Sequence, residues 1–126
     1  MDIWILEDRP DRHDVFMEKF PDCIIFAEVK HLIEEFKYRP PKDDVILFLD
    51  HDLGGEVYCN SDRKDTGMEM VRYMESLDHH LPVIQVIAHT LNTTAGLEMV
   101  SRLKGIGYIA DYWPFNPAKI NQLEVL

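Results

Sequence analysis

Val45-Ile46-Leu47-Phe48-Leu49, closed by Asp50-His51-Asp52, is the stretch on which the reading of this chain turns. Five apolar residues in a row, with no polar alternation, describe a strand covered on both faces, as parallel strands are. Upstream, residues 3–6 form a shorter apolar run that closes on Glu7-Asp8. Pro10 then suits the first turn of a helix reaching about Phe20, with Val15, Phe16 and Phe20 on one face. Residues 23–27 are a second apolar run. Residues 28–38 carry Val29, Leu32, Ile33 and Phe36 at helical spacing, and Pro40-Pro41 stops them.

Downstream, residues 51–65 are a polar loop, long for an αβ protein. Thr66-Gly67-Met68-Glu69 matches a capping box and opens a helix with Met70, Val71 and Met74 inward. Residues 82–88 read as a fourth strand. Residues 92–104 read as a fourth helix with Leu97, Val100 and Leu103 as its stripe, ended by Gly105. Residues 106–110 read as a fifth strand, and Asn116-Pro117 starts a short last helix. Strand and helix alternate five times. This pattern predicts one α/β domain over residues 1–126, a flavodoxin-like three-layer αβα sandwich. Its five-stranded parallel sheet has the order 2-1-3-4-5 and right-handed crossovers.

Composition narrows the function classes. Thirteen Lys and Arg stand against 23 Asp and Glu, a formal charge of -10. Binding a long duplex nucleic acid needs many cationic contacts, so that class is excluded, while a short phosphorylated ligand held through a metal ion is not. Two cysteines cannot make a disulfide framework, which predicts a reducing, cytoplasmic setting. No apolar run approaches the ~20 residues of a membrane span, and the opening residues read as a strand, not a signal peptide.

In an open αβ sheet, ligands bind beyond the carboxyl ends of the strands at the switch point. The residues there are Glu7-Asp8, Asp50-His51-Asp52 and His89-Thr90-Leu91-Asn92. Glu7, Asp8 and Asp50 standing close together would repel unless a cation intervened. A hard divalent ion, Mg²⁺ first and Mn²⁺ second, suits them as ligands, although Asp8 beside Arg9-Pro10 suits helix capping equally well. His51 and His89 could act as base and acid on a phosphodiester, or ligate a softer metal with Asp52. Thr66-Gly67 and Asn92-Thr93-Thr94 each begin a helix, where backbone N–H groups favour an anion or are simply capped. Arg12 could reach a phosphate or pair with Asp8 or Glu7. His13, His31, His79 and His80 read as solvated.

These residues resemble a known family. The acidic pair after the first strand, Asp50 after the third and Pro114-Phe115 after the fifth resemble the receiver domain of two-component signalling. In ordinary receivers the Asp matching Asp50 accepts a phosphoryl group, with Mg²⁺ held by the acidic pair. Two positions depart from that pattern. Trp113 stands where Lys is expected, and Ile87 stands where Thr or Ser is expected, with Thr90 close by. A closer match is the divergent cyclic-phosphate processing receiver domain. Leu49-Asp50-His51-Asp52-Leu53-Gly54, Thr66-Gly67, His89-Thr90-Leu91-Asn92 with Met99, and Leu6-Glu7-Asp8 with Arg12 are similar to its motifs over roughly residues 3–100. Thr93 and Ala95 depart from its Pro and Gly. The resemblance implies processing or sensing of a cyclic phosphate.

The expectation is therefore a metal-assisted phosphoesterase or sensor acting on a cyclic phosphate of a nucleotide or RNA end. Glu7, Asp8 and Asp50 would hold the cation, His51 and His89 would trade the proton, and Asp52 would orient a histidine. Arg12, Thr66, Gly67, Thr90 and Asn92 would hold the phosphate. The rivals are a cyclic-nucleotide-binding module without turnover and a phosphoacceptor receiver using Asp50. Ile120, Leu123, Val125 and Leu126 suit a homodimer face, and covering the sheet explains them equally well.

Overall fold

The computed structural model describes residues 1–124. Strand and helix alternate throughout: β1 Asp2–Leu6, α1 Pro10–Lys19, β2 Ile24–Phe26, α2 Val29–Tyr38, β3 Val45–Leu49, α3 Gly67–Ser76, β4 Val83–Ala88, α4 Thr93–Gly105, β5 Ala110–Tyr112 and α5 Pro117–Ile120. All strand pairs are parallel, in the order β2-β1-β3-β4-β5. The central strand is β3, and each of its five residues is fully buried. Strand alternation divides them between two apolar layers. Val45, Leu47 and Leu49 join Leu32, Met70 and Leu103 from α2, α3 and α4. Ile46 and Phe48 join Phe16 from α1 and Ile120 from α5.

Register is what positions the site. Leu6 pairs with Leu49, and Leu49 pairs with Ala88. The next residue of each strand therefore emerges at one level: Glu7, Asp50 and His89. Two backbone bonds hold that level, from Asp50 N to Leu6 O at 3.1 Å and from His89 N to Leu49 O at 3.0 Å.

Several local expectations need correction. The fifth strand is not at residues 106–110 but at Ala110–Tyr112. Gly105 continues α4, and the chain turns two residues later at Gly107, whose φ of 96° favours glycine. Tyr108 then tucks inward, its hydroxyl accepting from Leu81 N at 2.8 Å. Val100 and Leu103 are buried as expected, but Leu97 is about half exposed and lies outside the α4 stripe, which is Ala95, Gly96, Met99, Val100 and Leu103. Leu97 sits two positions from both Ala95 and Met99, on the far side of a 3.6-residue helix.

The capping box at Thr66 does not form. The Thr66 hydroxyl donates to Arg63 O at 2.9 Å, and the Glu69 carboxylate accepts from Arg72. Asn116 does cap α5, accepting from Ala118 N and Lys119 N. Ile120 and Leu123 are buried against the sheet, while Val125 and Leu126 lie outside the described residues. Among the described residues, no helix is long and apolar enough to cross a membrane.

Candidate functional site

Glu7 is the hub of the polar cluster at the strand ends. Its Oε2 accepts from the backbone N–H groups of Asp8 and Arg9, at 3.0 and 3.2 Å. Its Oε1 accepts from Arg12 Nη1 at 3.2 Å and from His89 Nε2 at 3.1 Å. Arg12 Nη1 also lies 3.7 Å from Asp50 Oδ2, and its guanidinium stands over the Phe115 ring at 4.8 Å. Glu7, Arg12, Asp50 and His89 are all buried. One ligand atom from each of Glu7, Asp50 and His89 lies within 4.8 Å of the others. The His89 ring is packed among Phe16, Phe48 and Phe115, and its Nδ1 has no hydrogen-bond partner.

Burial and charge drive the two carboxyls apart. Burial works against the Glu7 carboxylate, but the His89 hydrogen bond and the positive charges of His89 and Arg12 outweigh it and hold the pKa at about 2. Asp50 is pushed up to about 6, chiefly by burial and further by the Glu7 charge, against the pull of His89, the His51 N–H and Arg12. Asp50 Oδ1 accepts from His51 N at 2.8 Å.

The second cluster is centred on Asp52. Its Oδ1 accepts from His51 Nδ1 at 2.7 Å, Cys59 N at 3.0 Å and Asn92 Nδ2 at 3.3 Å. Its Oδ2 accepts from Tyr58 N at 2.6 Å. Burial would raise this carboxyl, but the donors around it win and hold it below the usual range. Ser61 Oγ donates to His51 Nε2 at 3.0 Å, so both ring nitrogens of His51 are engaged. Asn92 caps α4 through Ala95 N at 3.2 Å. Thr90 is buried, and its hydroxyl accepts from Asn92 N at 3.1 Å.

Between the two clusters opens a cavity of ≈ 360 Å³. Asp8, Asp50 and Asp52 line it with Arg12, Thr90 and Asn92. Of the residues singled out from sequence, these six meet there. Glu7 and His89 are buried beside Asp50 at the same level of the sheet and do not line the cavity. His51 is fully buried and faces the loop rather than the cavity wall. Asp8 does not cap α1, whose N-cap is Arg9. Instead its Oδ2 accepts from Gly55 N at 2.9 Å.

Thr66 and Gly67 are not brought to the cavity, and the expected phosphate seat there does not form. The Gly67 N–H donates to His51 O at 2.9 Å. Glycine is required at 67 for another reason, because a Cβ there would stand 1.8 Å from Asp50 O. His13 is half-buried with its Nε2 donating to Glu7 O at 2.6 Å, and His80 donates to Ile106 O at 2.6 Å. His13 is thus not simply solvated, while His80 is exposed as expected.

Sequence reasoning missed Ser61 as the partner of His51 and Phe115 as the ring beneath Arg12. A lone serine in a loop carries no spacing signal. Pro114-Phe115 was visible, but only as a family mark.

A family model described as the cyclic-phosphate processing receiver domain matches residues 2–105. The chain belongs to this family. The solved signal receiver domain of a protein assigned as a Luxo repressor, from Vibrio parahaemolyticus, is similar in fold, with a TM-score of 0.61. It shares 15% identity, and the match covers 96% of this chain and 84% of that one. At that identity the likeness speaks to fold alone. No curated protein sequence matches this receiver domain significantly. The matched span runs from β1 through α4 and so includes the strand ends that carry the cavity.

Proposed function

We propose that this receiver domain binds a cyclic phosphodiester, on a nucleotide or RNA end, in the cavity between Asp8, Asp50 and Asn92, and opens it by hydrolysis. The observation that carries the reading is the convergence of Glu7, Asp50 and His89 beneath a cavity that also offers Arg12, Thr90 and Asn92. In the reaction a water oxygen bonds to phosphorus and one ring P–O bond breaks. The water proton leaves and the freed ribose hydroxyl gains one.

Charge balance argues for a divalent cation. Asp8, Asp50, Asp52 and Glu56 line the cavity against Arg9 and Arg12. Arg9 is bonded to Asp11, and Arg12 is shared by Glu7 and Asp50. A phosphate monoanion would thus enter a net negative space. The donor set fits such an ion: two buried carboxylates and an imidazole within 4.8 Å of one another, with Asp50 raised in pKa by burial and further by the Glu7 charge. Glu7 and Asp50 would hold it, with Asp8 at the cavity wall and His89 left beside them as a proton carrier. Mg²⁺ or Mn²⁺ there would neutralise charge on the phosphoryl oxygens.

Among the chain's own residues, Arg12 is the donor suited to a non-bridging oxygen, its ring seat on Phe115 keeping the guanidinium in place. Asp52 orients His51, and Ser61 holds the other nitrogen of that ring. His89 and His51 are the proton carriers of this scheme.

The test is hydrolysis of a 2′,3′-cyclic nucleotide with Mg²⁺ or Mn²⁺. Turnover is expected from the parent protein and not from the double variant His51→Ala, His89→Ala. Turnover that survives both changes removes the proton scheme. Binding without turnover is the second reading, favoured by the full burial of both histidines. Calorimetry with the ligand recovered unchanged would select it. Phosphoryl acceptance by Asp50 has less support, because Trp113 brings no positive charge before Pro114-Phe115 and its Nε1 is buried without a partner.

A further inference from the structure

The cavity changes character from floor to mouth. Its inner wall is Asp50, Asp52, Thr90 and Asn92, while Val57, Tyr58 and Leu91 line the same cavity further out. Those three large apolar side chains are 76%, 77% and 52% exposed. Single exposed hydrophobes are ordinary, but three that converge on one polar cavity mark a binding surface.

Tyr58 is also held against its own backbone preference. Its φ is 53°, and it is the one non-glycine residue with positive φ among the described residues. The bond from its N–H to Asp52 Oδ2 ties it to the cavity wall. Asp52 is in turn fixed by His51 and Asn92. The arrangement holds an exposed aromatic residue at the entrance, with its backbone anchored to the groups that form the inner wall.

We propose that the ligand is a cyclic mononucleotide, with its phosphate toward Asp50 and its base on the apolar surface of Tyr58, Val57 and Leu91. This rests on the cyclic-phosphate reading above and narrows it to ligands with an aromatic base. Any base offers a flat face to Tyr58, so stacking favours nucleotides as a class. Base identity is weakly read. Asn92 gives one amide N–H to Asp52 and its oxygen to Ala95 N, and its remaining N–H sits at the inner wall, the phosphate end of the cavity, not at the rim where the base would lie. The acidic residues of the cavity disfavour further phosphates, so one phosphate suits it better than several.

The experiment compares two probes in calorimetry with Mn²⁺ present: adenosine 2′,3′-cyclic phosphate and glycerol 1,2-cyclic phosphate, which lacks a base. Stacking of one base gives the nucleotide about tenfold tighter binding or more. Tyr58→Ala should remove most of that advantage and leave glycerol 1,2-cyclic phosphate unchanged. Tyr58→Phe should keep it, with thermal midpoints showing all variants folded. Equal binding of both probes, or equal weakening of both by Tyr58→Ala, overturns the base platform and leaves the cyclic-phosphate reading standing. If neither probe binds the parent protein, the cyclic-phosphate reading fails and the platform fails with it.

Discussion

Burial raises the pKa of both Asp50 and Glu7, but only at Glu7 do the contacts from His89 and Arg12 overcome it. Asp50 has its folded pKa raised, so the stability linked to it is greatest below about pH 4 and is lost as pH rises through about 6. Glu7 has its folded pKa lowered, so its contribution is present above about 4.5 and is lost as pH falls toward 2. Asp50→Asn in EDTA should therefore stabilise the fold at pH 7.5 by about 2–3 kcal/mol, seen as a higher thermal midpoint, and this gain should shrink toward pH 4. A midpoint that falls at pH 7.5 would show that Asp50 stabilises the cluster as a carboxylate. Gly67→Ala belongs at the same scale. Its Cβ would meet the Asp50 backbone, which cannot swing aside as a side chain can, so unfolding in urea should show a loss of several kcal/mol. Gly67 illustrates what sequence reading reaches. Its presence was noted as a family mark, but its cause is a contact between residues 50 and 67, which no local pattern encodes.

At the scale of elements, the central run was legible because burial on both faces leaves an unbroken apolar string, and β3 lies where residues 45–49 read as a strand. The fifth strand was not legible, because Ile106, Tyr108 and Ile109 look like strand residues but serve a turn. Tyr108 is inward, while Ile109 is exposed, its carbonyl accepting from Val86 N. The candidate site was readable as three strand ends, since parallel register brings Glu7, Asp50 and His89 level. The inward turn of His51 was not, because it depends on Ser61 in a long loop. That loop carries a separable prediction. Tyr58→Gly relieves a left-handed backbone that costs an L-residue ~1 kcal/mol, so it should raise the midpoint slightly. In the same variant, binding of adenosine 2′,3′-cyclic phosphate should weaken. A variant that loses stability would show that the Tyr58 side chain is needed for packing, against its exposure of 77%.

For the whole molecule, a charge of -10 sets which ligands can approach. An oligonucleotide ending in a 2′,3′-cyclic phosphate brings extra negative charges to an acidic surface, so it should bind less tightly than the mononucleotide. Raising the salt from 50 mM to 500 mM should narrow the gap, since the Debye length falls from roughly 14 Å to 4 Å. A gap that widens with salt would mean that the longer ligand makes favourable ionic contacts. Divalent ions act in the opposite sense. Mn²⁺ at 100 times its dissociation constant should stabilise the fold by about 2.7 kcal/mol, and Glu7→Gln should reduce that gain.

The loop over residues 53–65 is moored near its start by Gly55 on Asp8 and by Tyr58 with Cys59 on Asp52, and further on by Ser61 on His51 and by Arg72 on the Ser61 and Arg63 carbonyls. Any ion that draws on Asp8 competes with the Gly55 amide for the same oxygens, so filling the cup should slacken the strap above it. Glu56 adjoins Gly55, and a glutamate-specific protease should cut after it sooner when Mn²⁺ is present than in chelator. Occupancy of a buried charge cluster could then be read as a nick in the chain, without any substrate being turned over.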